Sequence, residues 1–303
     1  MKTFLFKIAL FTFIISVFIT LILNFYGGYI DPFYVKFTTP KQHSLIIGDS
    51  KSYQGIQPSV INNELKNKFD LPMFNYSFTI AQCAYGEGLL KSIENKLDTN
   101  TKNGLFILTV NPWILAEREQ DDFENGHFFE DDLPPQNMTF ASMKPNFEYF
   151  FKNFNYFHFK AIFRKNTKIN EDGWIEELKE EKDSKTLNSV KKNWLQAYID
   201  FGKKWKKSDY RLHKLDKIIS FLKKHGTVVI VRMPSSEEVI VIENQFWKNF
   251  DGNMLYLANK NQVHYFNYMK DNTQFQTYDG VHLDKIQGAL FTKALCDSIQ
   301  FKK

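Results

Sequence analysis

Residues 8–26, IALFTFIISVFITLILNFY, carry no charged side chain. At about 1.5 Å rise per residue, a helix over this run spans roughly 28 Å, close to the hydrocarbon core of a bilayer. Phe4, Leu5 and Phe6 lengthen it, and Lys7 can snorkel to the headgroups. Lys2, Lys7 and the amino terminus precede the run, and Asp31 is the first charge after it. The positive-inside rule then puts the amino terminus in the cytoplasm and the rest of the chain outside it. A cleaved signal peptide needs small residues at the cut, and Phe25-Tyr26-Gly27-Gly28-Tyr29 offers no such site. A buried core helix usually keeps a polar stripe, which is missing here. The sequence therefore predicts an uncleaved, single-pass membrane anchor over 1–28.

Beyond this run the chain has the composition of a folded domain. Of 303 residues 43% are hydrophobic and 31 are Phe, which excludes a disordered chain. With 2 Cys, 14 Gly and 9 Pro, disulfide-scaffold and fibrous classes are excluded too. Net charge is only +5, without a basic stripe, so nucleic acid is not an expected partner. Cys83 and Cys296 would share an oxidising space, and whether they pair is left open by the sequence.

Short apolar runs at 44–47, 73–76, 105–110, 227–231 and 263–268 read as buried strands. Helical patterns at 58–69, 86–96, 211–225 and 283–299 fall between or after them. Pro58 opens the first of these, and Gly226 closes the third as a C-terminal cap. Such alternation predicts an α/β fold, a three-layer α/β/α sandwich around a five-stranded parallel sheet. Residues 115–210 show little strand signal and read as one large insertion. The division is thus an anchor over 1–28, a linker over 29–42 and a domain over 43–303.

In sheets of this kind chemistry collects at the carboxyl ends of the strands. Gly48-Asp49-Ser50 lies there, directly after the first strand, and Asp279-Gly280-Val281-His282 lies between the fifth strand and the last helix. A serine hydroxyl needs a base to take its proton, and the base needs an orienting partner. His282 suits the first role and Asp279 the second. On the residues alone, Ser50 and Asp279 also fit as ordinary helix caps.

In order and setting these two motifs resemble the SGNH (GDSL-type) hydrolase superfamily. The run Gly48-Asp49-Ser50-Lys51 with Gly55-Ile56-Gln57-Pro58 looks like its membrane-anchored cell-envelope branch. The likeness covers 43–112 and 211–303. It implies a flavodoxin-like strand order and an acyl-serine mechanism; no P-loop, G-x-G-x-x-G, H-E-x-x-H or paired C-x-x-C occurs, so no cofactor or metal is expected. It also implies an oxyanion hole, for which Ser77 stands near the family's glycine and Asn111, in Thr109-Val110-Asn111-Pro112, keeps the family's Asn. Arg232 ends the fourth strand on the same edge, where it fits either a substrate anion or a protein carboxylate.

These observations lead to an extracytoplasmic serine esterase or O-acyltransferase. Its expected substrate is an acylated cell-envelope glycan or lipid-linked polymer, with a membrane acyl-transfer partner in the transferase case. The alternative is an inactive scaffold on the same fold. Other signals are weaker. Asp121, Asn125, Gly126 and Asp132 have partial calcium-loop spacing, but Phe123 breaks it and a solvated acidic loop is expected. His225 reads as a helix-terminal residue and His264 as a packed strand residue.

Overall fold

The structure, a computed structural model, describes residues 1–154, 167–177, 183–271 and 273–301. It opens with α1 (Lys2–Ile30), a helix long and apolar enough to cross a membrane and almost wholly exposed. α2 (Tyr34–Thr38) comes directly after it, with Tyr34, Lys36 and Phe37 buried. This corrects the expected linker over 29–42. Two aromatic side chains of that segment belong to the core, so it is part of the folded body.

The strands β1 (Ser44–Ile47), β2 (Met73–Asn75) and β3 (Gly104–Thr109) come next. The ribbon strands β4 (Ala116–Glu117), β5 (Thr167–Ile169), β6 (Ile175–Glu177) and β7 (Lys206–Lys207) lie in the region expected as an insertion. β8 (Gly226–Arg232) and β9 (His264–Asn267) complete the set. The central sheet has five parallel strands in the order β2-β1-β3-β8-β9, the flavodoxin-like order. β4 pairs antiparallel with β7, and β5 with β6, outside that sheet.

Helices cover both faces because successive strand residues point to opposite sides. Leu45, Ile47, Phe106, Leu108 and Ile230 face one core, with α2, α5 (Glu87–Lys96), α8 (Asp209–Leu222) and α10 (Phe250–Asn261). Ile46, Leu105, Ile107, Val229 and Val231 face the other, with α4 (Pro58–Glu64) and α11 (Lys285–Phe301). Each of these buried apolar side chains contributes about 1.5–3 kcal/mol, which fixes the sheet firmly enough to aim its edges. Cys83 packs in the first core and Cys296 in the second, both as free thiols, so they form no disulfide.

The remaining helices are α3 (Ser50–Gly55), α6 (Phe147–Asn153), α7 (Ser184–Lys204) and α9 (Glu237–Phe246). α9 and α10 occupy the stretch between β8 and β9, where the sequence suggested no element. α7 packs on α9 beside the carboxyl ends of the strands. A stack of Trp113, Tyr198 and Phe246 joins the two at ring separations of 4.8–5.0 Å.

Candidate active site

β1 delivers its last residue to the carboxyl edge and the chain must turn there. Gly48 permits the turn, since a Cβ at this position would overlap Thr109 Oγ1 of the neighbouring strand and Ser52 Oγ. Asp49 then caps α3, its Oδ1 accepting the Lys51 N–H at 3.1 Å. Ser50 is the first residue of the helix. Lys51 N–H is taken by Asp49, and the N–H groups of Ser52 and Tyr53 bond the Asp49 carbonyl. The Ser50 N–H has no partner among the described residues.

The last strand and last helix are joined by a loop that carries the other half of the site. Asp279 Oδ1 accepts the N–H groups of Val281 (3.0 Å) and His282 (2.8 Å), which folds the loop into a tight turn. Gly280 sits in it at φ +88°, where an L side chain would be strained, and its carbonyl accepts the Ser236 N–H from the start of α9. The turn leaves Asp279 Oδ2 free to meet His282 Nδ1 at 2.8 Å. On the far side of the ring, His282 Nε2 lies 2.9 Å from Ser50 Oγ.

The electrostatics assign the protons. Asp279 and His282 are 3% and 4% exposed. Burial works to raise the Asp279 carboxyl, but the His282 hydrogen bond, the charge of that ring and two backbone N–H groups outweigh it. The carboxyl is held below its ordinary range. Ionised at neutral pH, Asp279 can only accept, so Nδ1 carries the hydrogen and Nε2 presents its lone pair to the Ser50 hydroxyl. The three side chains are therefore aligned for proton transfer from Ser50 to His282.

The other residues singled out from the sequence fall differently. Asn111 does reach the site: its Nδ2 donates to Asp49 Oδ2 at 2.6 Å, while its Oδ1 accepts the N–H groups of Trp113 and Ile114. One amide hydrogen is thereby used and one is left. Burial pushes the Asp49 carboxyl up, against the Lys51 charge and the Asn111 bond.

Ser77 does not serve as the backbone donor expected of it. Past β2 the chain stays against β1, through Tyr76 N–H to Ile46 O and Phe78 N–H to Gly48 O. Ser77 is thus fully buried between them, with its own N–H on Asn75 Oδ1 and its hydroxyl on Ile46 O. Of the two roles open to Arg232, the structure shows the pairing with protein carboxylates. Its guanidinium, 2% exposed, is held by Asp251 Oδ1 (2.6 Å) and Glu243 Oε2 (2.7 Å). Lys51 joins the same buried network through Ser235 Oγ and Glu243. The acidic loop is exposed at Asn125, Gly126 and Asp132, as expected, whereas the Asp121 side chain is buried on Arg211. His225 is buried at the end of α8 against Phe221, and His264 is an exposed residue on β9 rather than a packed one.

Two contacts have no counterpart in the sequence reading. Trp194 of α7 approaches the His282 ring edge-on at 5.5 Å, and Tyr278 lies nearly parallel to it at 6.2 Å. Tyr278 stands next to the Asp279 motif, and its adjacency was a usable signal. Nothing in the sequence marks Trp194, because its role depends on where α7 comes to rest. Among the described residues, no group of three or more His, Cys, Asp or Glu is placed to hold a metal ion.

No protein-family model matches the sequence, and no curated protein matches it. Among solved structures the chain is similar to Est24, a carbohydrate acetylesterase from Sinorhizobium meliloti. The match covers 87% of this chain and 100% of that one, at 11% identity and a TM-score of 0.40.

Proposed function

We propose that this chain is a membrane-anchored serine hydrolase of the SGNH type, with Ser50 as nucleophile, His282 as base and Asp279 as its orienting carboxylate. The observation that carries this reading is the unbroken line Ser50 Oγ–His282 Nε2, His282 Nδ1–Asp279 Oδ2, with distances of 2.9 and 2.8 Å. Such a line at the carboxyl edge of a parallel sheet does what acyl transfer requires.

In the first step Ser50 Oγ attacks an ester carbonyl while its proton passes to His282 Nε2. The imidazolium so formed is stabilised by the Asp279 carboxylate. The Ser50 N–H and the second amide hydrogen of Asn111 are the donors for the developing oxyanion, a contribution worth about 10²–10³ in rate per donor. The tetrahedral species collapses, His282 returns the proton to the departing alkoxide, and an acyl-serine remains. Water then attacks it with His282 as base in an esterase, and a sugar hydroxyl does so in an O-acyltransferase.

α1 supports the wider reading. An anchor with Lys2 and Lys7 on its amino-terminal side would hold the site outside the cytoplasm, against ester groups of an envelope glycan or lipid-linked polymer. A membrane protein that delivers acyl groups would be its partner in the transferase form.

The test is a serine-directed fluorophosphonate applied to the full chain in detergent. Wild type should label, and Ser50→Ala and His282→Ala should not. A folded wild type that stays unlabelled would leave the non-catalytic scaffold as the function.

A further inference from the structure

α1 continues past its apolar run, and its last turns are seated on the folded body. Leu23, Gly27 and Ile30 are buried there, whereas Phe25, at 76% exposure, Tyr26 and Tyr29 are exposed, Phe25 and Tyr29 at the edge of the cavity beside this seat. Gly27 and Gly28 allow the close approach: a Cβ on either would overlap Tyr34 or Val35 of α2. The outward aromatic side chains mark the level of the headgroups, where Tyr and Trp collect at the ends of membrane spans.

Beside this seat lies a cavity of about 720 Å³, within the range of small-molecule sites. Its apolar wall is built by Leu23 and Phe25 of α1, Val35 of α2, Met73 and Phe74 of β2, and Ile169 of β5. Leu23 and Phe25 belong to the uncharged run itself. The exposed Phe25 carries the apolar surface of α1 to the cavity, and Leu23, buried against the body, continues it on the inner side. The rim carries two exposed charges of opposite sign, Lys144 and Glu171. Lys144 can take a phosphate and Glu171 an ammonium, with the half-buried Asp172 carboxylate also in the lining.

We propose that this cavity holds one acyl chain of a zwitterionic glycerophospholipid drawn from the bilayer, with its headgroup at the Lys144–Glu171 rim. The proposal rests on α1 lying in a bilayer and is independent of the chemistry at Ser50. A chain entering here exchanges one apolar surrounding for another, and the cavity is filled without any change in the fold. Its occupant would tie the body to the membrane surface at a second point beside α1.

The experiment uses the full chain in nanodiscs containing phosphatidylethanolamine with a diazirine on its acyl chain. After irradiation and digestion, adducts are mapped by mass spectrometry. Adducts are expected on α1 and also on the peptides carrying Met73–Phe74 and Ile169, which lie in the folded body. Thr38→Trp, which fills the cavity from α2, should remove the body adducts and keep those on α1. Unchanged fluorophosphonate labelling of that variant, where wild type labels, or an unchanged melting temperature shows that it is folded. Wild-type adducts confined to α1 overturn the proposal, as does body labelling that survives Thr38→Trp. Body labelling obtained only with a diazirine fatty acid overturns the phospholipid assignment. No adducts on α1 overturn the membrane reading itself.

Discussion

Replacing Asp279 by Asn removes a charge and almost nothing else. The new side-chain oxygen can still accept the N–H groups of Val281 and His282, so the turn that positions the histidine survives. The amide nitrogen then stands 2.8 Å from Nδ1, where the carboxylate oxygen was. An amide nitrogen donates, so Nδ1 must present its lone pair and the ring hydrogen moves to Nε2. That hydrogen now points at Ser50 Oγ, 2.9 Å away, and the base has become a donor. The expected loss in kcat is about 10⁴, or roughly 5 kcal/mol in the barrier, the scale found for a wrong tautomer in other triads. It is measured with an activated ester such as p-nitrophenyl acetate, on the full chain in detergent, per mole of folded protein. The stability curve gives a second readout. A carboxyl held below its ordinary value contributes stability that is complete above the unfolded pKa of about 3.9 and is lost as pH falls through the folded one. The Asn variant should lack that part of the acid limb. Turnover within tenfold of wild type, with the melting temperature unchanged at neutral pH, would refute the tautomer argument.

Asn111→Ala removes a buried donor to Asp49 and the acceptor of two N–H groups, so it should cost about 2–3 kcal/mol of stability. If the spare amide hydrogen serves the oxyanion, kcat of the folded fraction also falls by about 10²–10³ with KM nearly constant. Loss of stability with normal turnover would leave the Ser50 N–H as the donor. Lys36 is the third case. Burial lowers its pKa to about 7, and the two hydrogens of its neutral amine match its two acceptors, Asn75 O and Gly173 O. The unfolded chain keeps the proton up to about 10.5, so between these values stability should rise with pH by up to ~1.4 kcal/mol per unit. Thermal melts at pH 7 and pH 9 should show the gap between wild type and Lys36→Met widening, and a constant gap would count against a lowered pKa.

The central strands were legible because a parallel sheet covered on both faces is apolar on successive residues rather than alternate ones. Ser44–Ile47, Leu105–Thr109 and Thr227–Val231 stand out for that reason. Ser50 and the Asp279–His282 turn were legible because caps and tight turns are local. Residues 29–42 were read as a linker, yet Lys36 of that segment lies in the interior, where backbone carbonyls receive it. The helix expected over 58–69 ends at Glu64, where the chain turns and Asn67 takes a positive φ. Arg232 and Ser77 illustrate a general limit. Their position at the carboxyl edge of the sheet could be read, but the partner each one takes depends on Glu243, Asp251 and Asn75, whose placement is a matter of tertiary packing.

The short β4–β7 pairing sets Ala116 against Lys207 and Glu117 against Lys206. The excursion 118–205 therefore leaves and re-enters the body at neighbouring points, like a cassette with adjoining ends. Only its exposed parts can change in length without disturbing the strands, because Tyr149 fills the first core and Gly173 O accepts from Lys36. The excursion also carries α7, which sets Trp194 against His282. Descendants that reshaped the cassette would keep Ser50 and the sheet while rebuilding the wall beside the histidine. On the proposed function, substrate preference would then be free to diverge faster than the reaction itself.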